Sequence, residues 1–342
     1  MADPAGPLPA LCWSKGSPCR NLMNYFYTLL GSLCILVALV LITLLLRNRK
    51  ILSTQHQTLF SRLVTDFSLP ALIFVNLARR SFEVEKLLPA LIMLCTILIA
   101  CSLGFAAGKI LKMDRKSLGA FVLVSGWGSS STLGYALIMQ VFHNNHAAMQ
   151  DALVISELGA GVPLFLLAIP VAMYFGQEHP DGKNVLASTA DFFRSPIFIA
   201  VVLGIACSFL KLPWHDTAMK TVNTLLTIIA ASLEIFTAFA IGLMLQKIPV
   251  RHLLPPIAAL FCINLIAEPL IALAGAHLFG LPQLEEQVLV IEAAMPAGAV
   301  AAVVAARYGC NGGLASALTI AMYVLSLATI PLIYLLMMAV AS

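Results

Sequence analysis

The sequence predicts an all-α polytopic membrane protein with ten transmembrane helices, arranged as two five-helix repeats of opposite orientation. Three observations predict it. The 342 residues are 60% hydrophobic and only 11% charged, with a mean hydropathy of +0.95, outside the range of soluble domains. Apolar runs close to the roughly 20 residues a helix needs to cross hydrocarbon recur ten times along the chain. A polar stretch near the midpoint divides these runs five and five, and an odd number of crossings per half forces two similar halves into opposite orientations, the plan of many secondary transporters.

Taken in order, residues 1–22 form a polar tail expected outside the cytoplasm. The first apolar run, 23–46, exceeds the h-region of a signal peptide and ends in Arg47-Asn48-Arg49-Lys50 instead of a small-residue cleavage site, so it reads as a retained span. Further spans are expected near 59–78, 87–111, 117–142 and 150–175, completing a first repeat over 23–176. Residues 177–193 are a cytoplasmic linker, and a second repeat over 194–342 holds spans near 194–211, 219–246, 252–280, 286–307 and 312–340. Of the 20 lysines and arginines, seven fall in the tail and even loops and thirteen in the odd loops. By the positive-inside rule both termini lie outside the cytoplasm, in a plasma (inner) membrane.

The net charge of +4 lies between apolar segments without aromatic-interleaved basic patches, which excludes a nucleic-acid partner. The eight cysteines include no CxxC pair; those inside spans read as small packing residues, whereas Cys12 and Cys19 in the tail could close a disulfide loop if the tail meets an oxidising compartment. The histidines lie in loops or near span ends, so no metal site is expected, and no cofactor beyond Na+ or H+ as a coupling ion.

Two spans carry matching irregularities. The fourth contains GWGSSSTLGYA over 126–136, and its counterpart in the second repeat, the ninth, contains AAMPAGA over 293–299. Small residues and hydroxyls at 126–134 suit either a tight helix contact or a broken helix lining a cavity. Pro296 removes an amide and clashes with the carbonyl of Glu292, so the ninth span should unwind between them and leave that carbonyl without its helical partner. Pro70, Pro163, Pro170, Pro269 and Pro331 read as ordinary bends. Five carboxylates fall inside spans, beyond the first two residues of each: Asp66, Glu157, Glu234, Glu268 and Glu292. Each must face a cavity, carry a proton or hold a cation, since no lysine or arginine lies near mid-span to pair with it. Asp66 is close enough to a span end to reach the interface. Arg307 closes the ninth span as a snorkelling anchor.

The segments LVTDFSLPALIFVNLA (63–78), FAIGLML (239–245), EAAMPAGAVAAVVAARYG (292–309) and LASALTIAMYVLSLATIPL (314–332) resemble the auxin efflux carrier family, which includes plant auxin exporters and bacterial malonate permease-like carriers. The resemblance implies a ten-helix carrier with helices 4 and 9 broken and crossing at the substrate site. Where family members show glycine-asparagine and glycine-x-proline in the fourth helix, this chain has Gly128-Ser129 and Gly134-Tyr135-Ala136.

The expected function is a permease that moves a small organic anion, a carboxylate, by alternating access. Substrate would contact Gly128, Ser129, Ser130, Ser131, Thr132 and Gly134, together with Met295, Pro296, Ala297 and Gly298. Glu292 leads the candidates for proton or cation coupling, followed by Glu268, Glu234 and Asp66. Alternatives are a sodium-coupled organic anion symporter of the bile-acid type, which shares the crossed-helix plan, and a transporter-like sensor without flux. An intramembrane protease is excluded, because GWGSSS has no mid-depth histidine to activate a serine and Asp66 is the sole membrane aspartate for an aspartyl dyad. A homodimer stays open, with no sequence feature to mark its face.

Overall fold

The structure, a computed structural model, describes residues 18–78, 87–142, 145–177, 195–210, 217–245 and 250–341. Most of the tail, including Cys12, and nearly all of the linker lie outside the described residues, as do the side chains of Cys19, Ser131 and Thr132.

The described residues form twelve helical rods and no strands. They are α1 (Pro18–Asn48), α2 (Thr54–Ala78), α3 (Leu87–Ile110), α4 (Arg115–Gly126), α5 (Tyr135–Val141) and α6 (His146–Gly176). After these come α7 (Pro196–Leu210), α8 (Thr217–Met244), α9 (Arg251–Phe279), α10 (Gln283–Ala293), α11 (Ala299–Arg307) and α12 (Gly312–Ala341). Six rods are long and apolar enough to cross a membrane, and two shorter apolar helices accompany them. Leu98, Phe209, Ile228 and Leu270 are exposed on the outer surface, as expected of a polytopic membrane protein whose solvent is lipid.

Five of the rods' turns are widened into π-helix, and four of the five end two residues before a proline. Val64–Ser68 precedes Pro70, Ile155–Gly161 precedes Pro163, Leu164–Ala168 precedes Pro170 and Phe261–Ala267 precedes Pro269. The proline ring would strike the carbonyl four residues back, and a wider turn moves that carbonyl aside. Four of the five prolines expected to bend helices thus follow π-bulges, whereas Pro331 lies inside α12 without one. The fifth turn, Ser130–Gly134, ends two residues before Ala136 and forms without a proline.

Packing sorts the rods into two groups. In one, α7 lies along the second half of α2, and α8 packs against α1 and α2. In the other, α3 packs on α4 and α6, α9 on α3 and α10, and α11 on α4 and α12. The second group holds the deepest core. Every residue from Val288 to Gly298 is buried, and the alanine-rich α11 lets its neighbours approach closely.

One end of this group is pinned by backbone contacts. Gly176, at the end of α6, lies directly against the carbonyl of Tyr308, and Gly309 there takes φ +94. Asn311 ties the same loop to α4 by donating to the Ser117 hydroxyl at 2.9 Å, while its own amide donates to the Lys116 carbonyl at 3.1 Å. A methyl group at position 176 would collide with backbone that cannot yield. Gly176→Ala is therefore expected to destabilise the fold by roughly 1–3 kcal/mol, visible as a lower thermal midpoint in detergent, whereas alanine at Gly31, which has open space around it, should leave the midpoint unchanged.

Candidate functional site

The two expected interruptions are present. α4 stops at Gly126, and Trp127 continues in extended geometry at φ −112, ψ 106. α10 stops at Ala293 because Pro296 has no amide to continue the ladder. The Glu292 carbonyl is not left bare as the sequence suggested: the last turn tightens, and the Met295 amide donates to it at 3.3 Å.

The freed backbones pair with each other. The Ser129 amide donates to the Pro296 carbonyl at 2.8 Å, and the Gly298 amide donates to the Trp127 carbonyl at 2.7 Å. Gly128 and Ala297 stand opposite one another as an isolated antiparallel bridge. Close approach requires glycine at two of these positions. A Cβ on Gly128 would lie 2.8 Å from the Met295 carbonyl oxygen, and one on Gly298 would lie 2.9 Å from the carbonyl oxygen of Gly128.

A cavity of about 330 Å³ opens over this bridge. One wall comes from α1, α2 and α8, and the other from the bridge, α6, the start of α11 and α12. Side chains fix the second wall. Trp127 donates through Nε1 to the Ala160 carbonyl at 3.1 Å, and the Tyr323 hydroxyl donates to Ser129 Oγ at 2.6 Å. Ser156 donates to Ser130 Oγ at 3.0 Å. Glu157, buried and on the cavity wall, accepts at Oε1 from Asn76 Nδ2 at 2.7 Å and from the Tyr135 hydroxyl at 2.8 Å.

Of the residues the sequence nominated for substrate, Gly128, Ser129, Ser130 and Gly298 line the cavity. Met295, Pro296 and Ala297 are buried beneath it, where they hold the bridge. Gly134 instead makes room for Glu292, whose Oε2 would lie 2.6 Å from a Cβ at that position. Ser131 and Thr132 belong to the π turn that follows the bridge.

The nominated carboxylates separate. Glu292 is fully buried, and neither of its oxygens has a hydrogen-bond partner. It is close enough to Glu157 and Tyr135 for their charges to interact. Glu268 is buried away from the cavity and accepts at Oε2 from Asn264 Nδ2 at 3.2 Å. Glu234 is exposed and lines the cavity. Asp66 faces Arg307 at 3.5 Å, so one membrane carboxylate does have a cationic partner. The sequence hid this because residues 66 and 307 meet only after α11 has packed beside α2.

Glu157, Tyr323 and Thr237 are cavity residues that the sequence reading did not nominate. Glu157 is one of the five membrane carboxylates expected to face a cavity, carry a proton or hold a cation, and it does face the cavity, where Gly161 gives its Oε2 room. Tyr323 and Thr237 carry no signal in the sequence, as each is a single polar group in an otherwise ordinary apolar helix.

A family model described as membrane transport protein matches residues 28–185 and 185–334. The chain belongs to this family. It is the family of the auxin efflux carriers that the sequence resembled. An uncharacterized transporter of Methanocaldococcus jannaschii is 25% identical over 281 residues, covering 80% of this chain and 87% of that protein. A second uncharacterized transporter, from Methanothermobacter thermautotrophicus, is 22% identical over 298 residues, covering 86% and 94%. Membership, together with the membrane-spanning helices, makes this an integral membrane transport protein.

Two outcomes follow from the geometry. Gly298→Val should break the bridge and lower stability by roughly 1–3 kcal/mol or more, measured as loss of monodisperse protein or of thermal midpoint, with Gly280→Ala as a strained surface control. Cys310, in the loop after α11, is pushed up to about 12 by burial, against the lowering effect of Arg115 and Lys116, and donates to the Ala172 carbonyl at 3.4 Å. Because the thiolate is the reactive form, maleimide labelling of Cys310 in folded protein should be negligible at pH 7, rise with pH, and become fast once the protein is unfolded.

Proposed function

We propose that the protein is a secondary active transporter, a permease that moves a small organic anion, a carboxylate, by alternating access with coupling to H+ or another cation. One observation carries this reading: two interrupted helices pair back to back beneath a cavity of about 330 Å³, so freed backbone groups and hydroxyls meet at one place. A cavity of this size suits a small ligand. The first-turn amides of Ala299 and Val300, at the cavity wall, provide a partial positive charge for a carboxylate.

The grouping of rods supports a ten-span, five-plus-five inverted repeat with helices 4 and 9 crossing. If α4–α5 and α10–α11 each count as one broken span, α1, α2, α7 and α8 are the first two spans of each half, and the second group is the last three of each half. The cavity lies between the groups, so rocking one against the other would expose it to either side in turn. Both termini are placed outside the cytoplasm by the charge count, in a plasma (inner) membrane.

Glu292 is the first coupling group. A carboxylate with no hydrogen-bond partner and no exposure needs a proton or a cation, and it sits behind the bridge where motion of the crossing would be felt. Glu268 and Glu234 follow it. Asp66, facing Arg307, is assigned to the contact between groups.

The test is counterflow and gradient-driven uptake in proteoliposomes with a panel of radiolabelled carboxylates, with and without sodium. Uptake driven by an inward proton gradient, abolished at least tenfold in Glu292→Gln and weakened in Ser130→Ala, is expected. Strict sodium dependence would move the assignment to the bile-acid type of symporter. Ligand-dependent thermal stabilisation without counterflow would make the protein a sensor and sink the transport reading.

A further inference from the structure

The cavity's charge is the reverse of what a simple anion requires. Glu157 and Glu234 both line it, and among the described residues no lysine, arginine or histidine does. Arg307 faces Asp66, and Arg47 donates to the Leu245 carbonyl at 3.1 Å. Glu157 accepts at Oε1 from Asn76 and from the Tyr135 hydroxyl, so it stands on the cavity wall as an acceptor. Its other oxygen, Oε2, lies 3.2 Å from where a Cβ on Gly161 would stand, and Gly161 itself forms cavity wall. A dicarboxylate entering here would meet two like charges in a low-dielectric space with only helix-end amides to oppose them.

A second, independent feature points to a ligand donor or acceptor at the same place. Thr237 lines the cavity, is 4% exposed, and its hydroxyl has no hydrogen-bond partner. A threonine inside a helix ordinarily bonds back to the carbonyl four residues earlier, as Thr43, Thr65 and Thr96 do here. Thr237 does not, although it stands one helical turn from Glu234. The two therefore present an unpaired hydroxyl and a carboxylate on the same face of α8.

Resting on the transport reading above and refining its carboxylate cargo from an anion to a zwitterion, we propose a small amino acid whose ammonium group is held by Glu157, Glu234 and the Thr237 hydroxyl, while its carboxylate meets the amides at the start of α11. The cavity supplies acceptors on α6 and α8 and donors at the start of α11, so the two ends of one small molecule meet groups of opposite kind. Closing the groups on such a ligand brings its ammonium to the cavity carboxylates and its carboxylate to the helix end, whereas a deaminated acid offers only the second contact.

The test uses full-length protein and matched pairs that differ only in the amino group: alanine and propionate, glutamate and glutarate, leucine and 4-methylpentanoate, tryptophan and indole-3-propionate. Thermal stabilisation in detergent and counterflow in proteoliposomes are measured for each pair at pH 7. In at least one pair the amino member should bind at least tenfold more tightly and exchange faster. Glu234→Gln, at an exposed position where folding is not at risk, should cut that preference at least fivefold, with Thr237→Val reducing it further; Glu157→Gln is scored only if its thermal midpoint without ligand is retained. Deaminated acids that bind and exchange as well as their amino partners, or a preference that survives Glu234→Gln and Thr237→Val, would overturn the zwitterion assignment and leave the carrier intact. An amino acid that binds without exchange would overturn transport and keep the charge assignment, and no response in any pair would overturn both.

Discussion

Everything at the centre of this protein depends on two unwound segments satisfying each other's backbone. In hydrocarbon each unpaired amide or carbonyl costs several kcal/mol, so a helix cannot simply stop in mid-membrane. Here the Ser129 and Gly298 amides donate to the Pro296 and Trp127 carbonyls, and two single breaks that would each be prohibitive become one tolerated crossing. The requirement spreads outward. It fixes glycine at 128 and 298, where a side chain would strike the partner's carbonyls, and it favours the small residues of α11, which let α4, α8 and α12 close around the bridge.

The bridge also explains why a cavity exists and why the two groups of helices meet there. Unwinding removes side-chain bulk from one wall, and the apolar faces of α1 and α2, together with α8, supply the other. Contact between the groups is lighter than contact within them. The ion pair between Asp66 and Arg307 joins α2 to α11 across this boundary, with the two side chains 43% and 27% exposed at a separation of 3.5 Å. A pair this exposed is worth about 0–1 kcal/mol. It can orient the groups without holding them, unlike the core of α3, α4, α6 and α10, where Phe121, Ile155, Val288 and Leu289 are fully buried.

Much of the architecture was legible because membrane physics leaves few choices. The apolar runs located the rods, and the glycine-hydroxyl and proline interruptions located both breaks within a few residues. The site was only half legible. Gly128, Ser129, Ser130 and Gly298 were identified by local chemistry, which sequence displays directly. Glu157 was legible only as a membrane carboxylate in need of a cavity, a proton or a cation, and Thr237 not at all, since the helices that join them at the cavity wall are distant in sequence. Asp66 and Arg307 failed to announce their pairing for the same reason. Glu292 was found, but its expected bare carbonyl was not, because a helix end can tighten by one residue and recover the bond through Met295.

The two departures from the family pattern now have separate physical meanings. The proline absent at position 136 belongs to a scheme in which π turns precede prolines, yet the Ser130–Gly134 turn forms with alanine in that place. Its cause must therefore be the bridge itself, which presents Ser129 at φ −87, ψ 47 as the turn begins and gives its carbonyl to the Leu133 and Gly134 amides. The backbone survives the substitution, and Ala136, now part of the cavity wall, leaves space where a ring would stand. Serine at 129 acts differently. Its hydroxyl accepts from Tyr323 at 2.6 Å, so the short side chain is drawn to α12, whereas the longer asparagine of the family pattern would carry an amide and a carbonyl further from the bridge. One change leaves more room in the cavity wall and the other alters its polar lining, while neither disturbs the crossing, so this chain keeps the bridged frame around a cavity lining of its own.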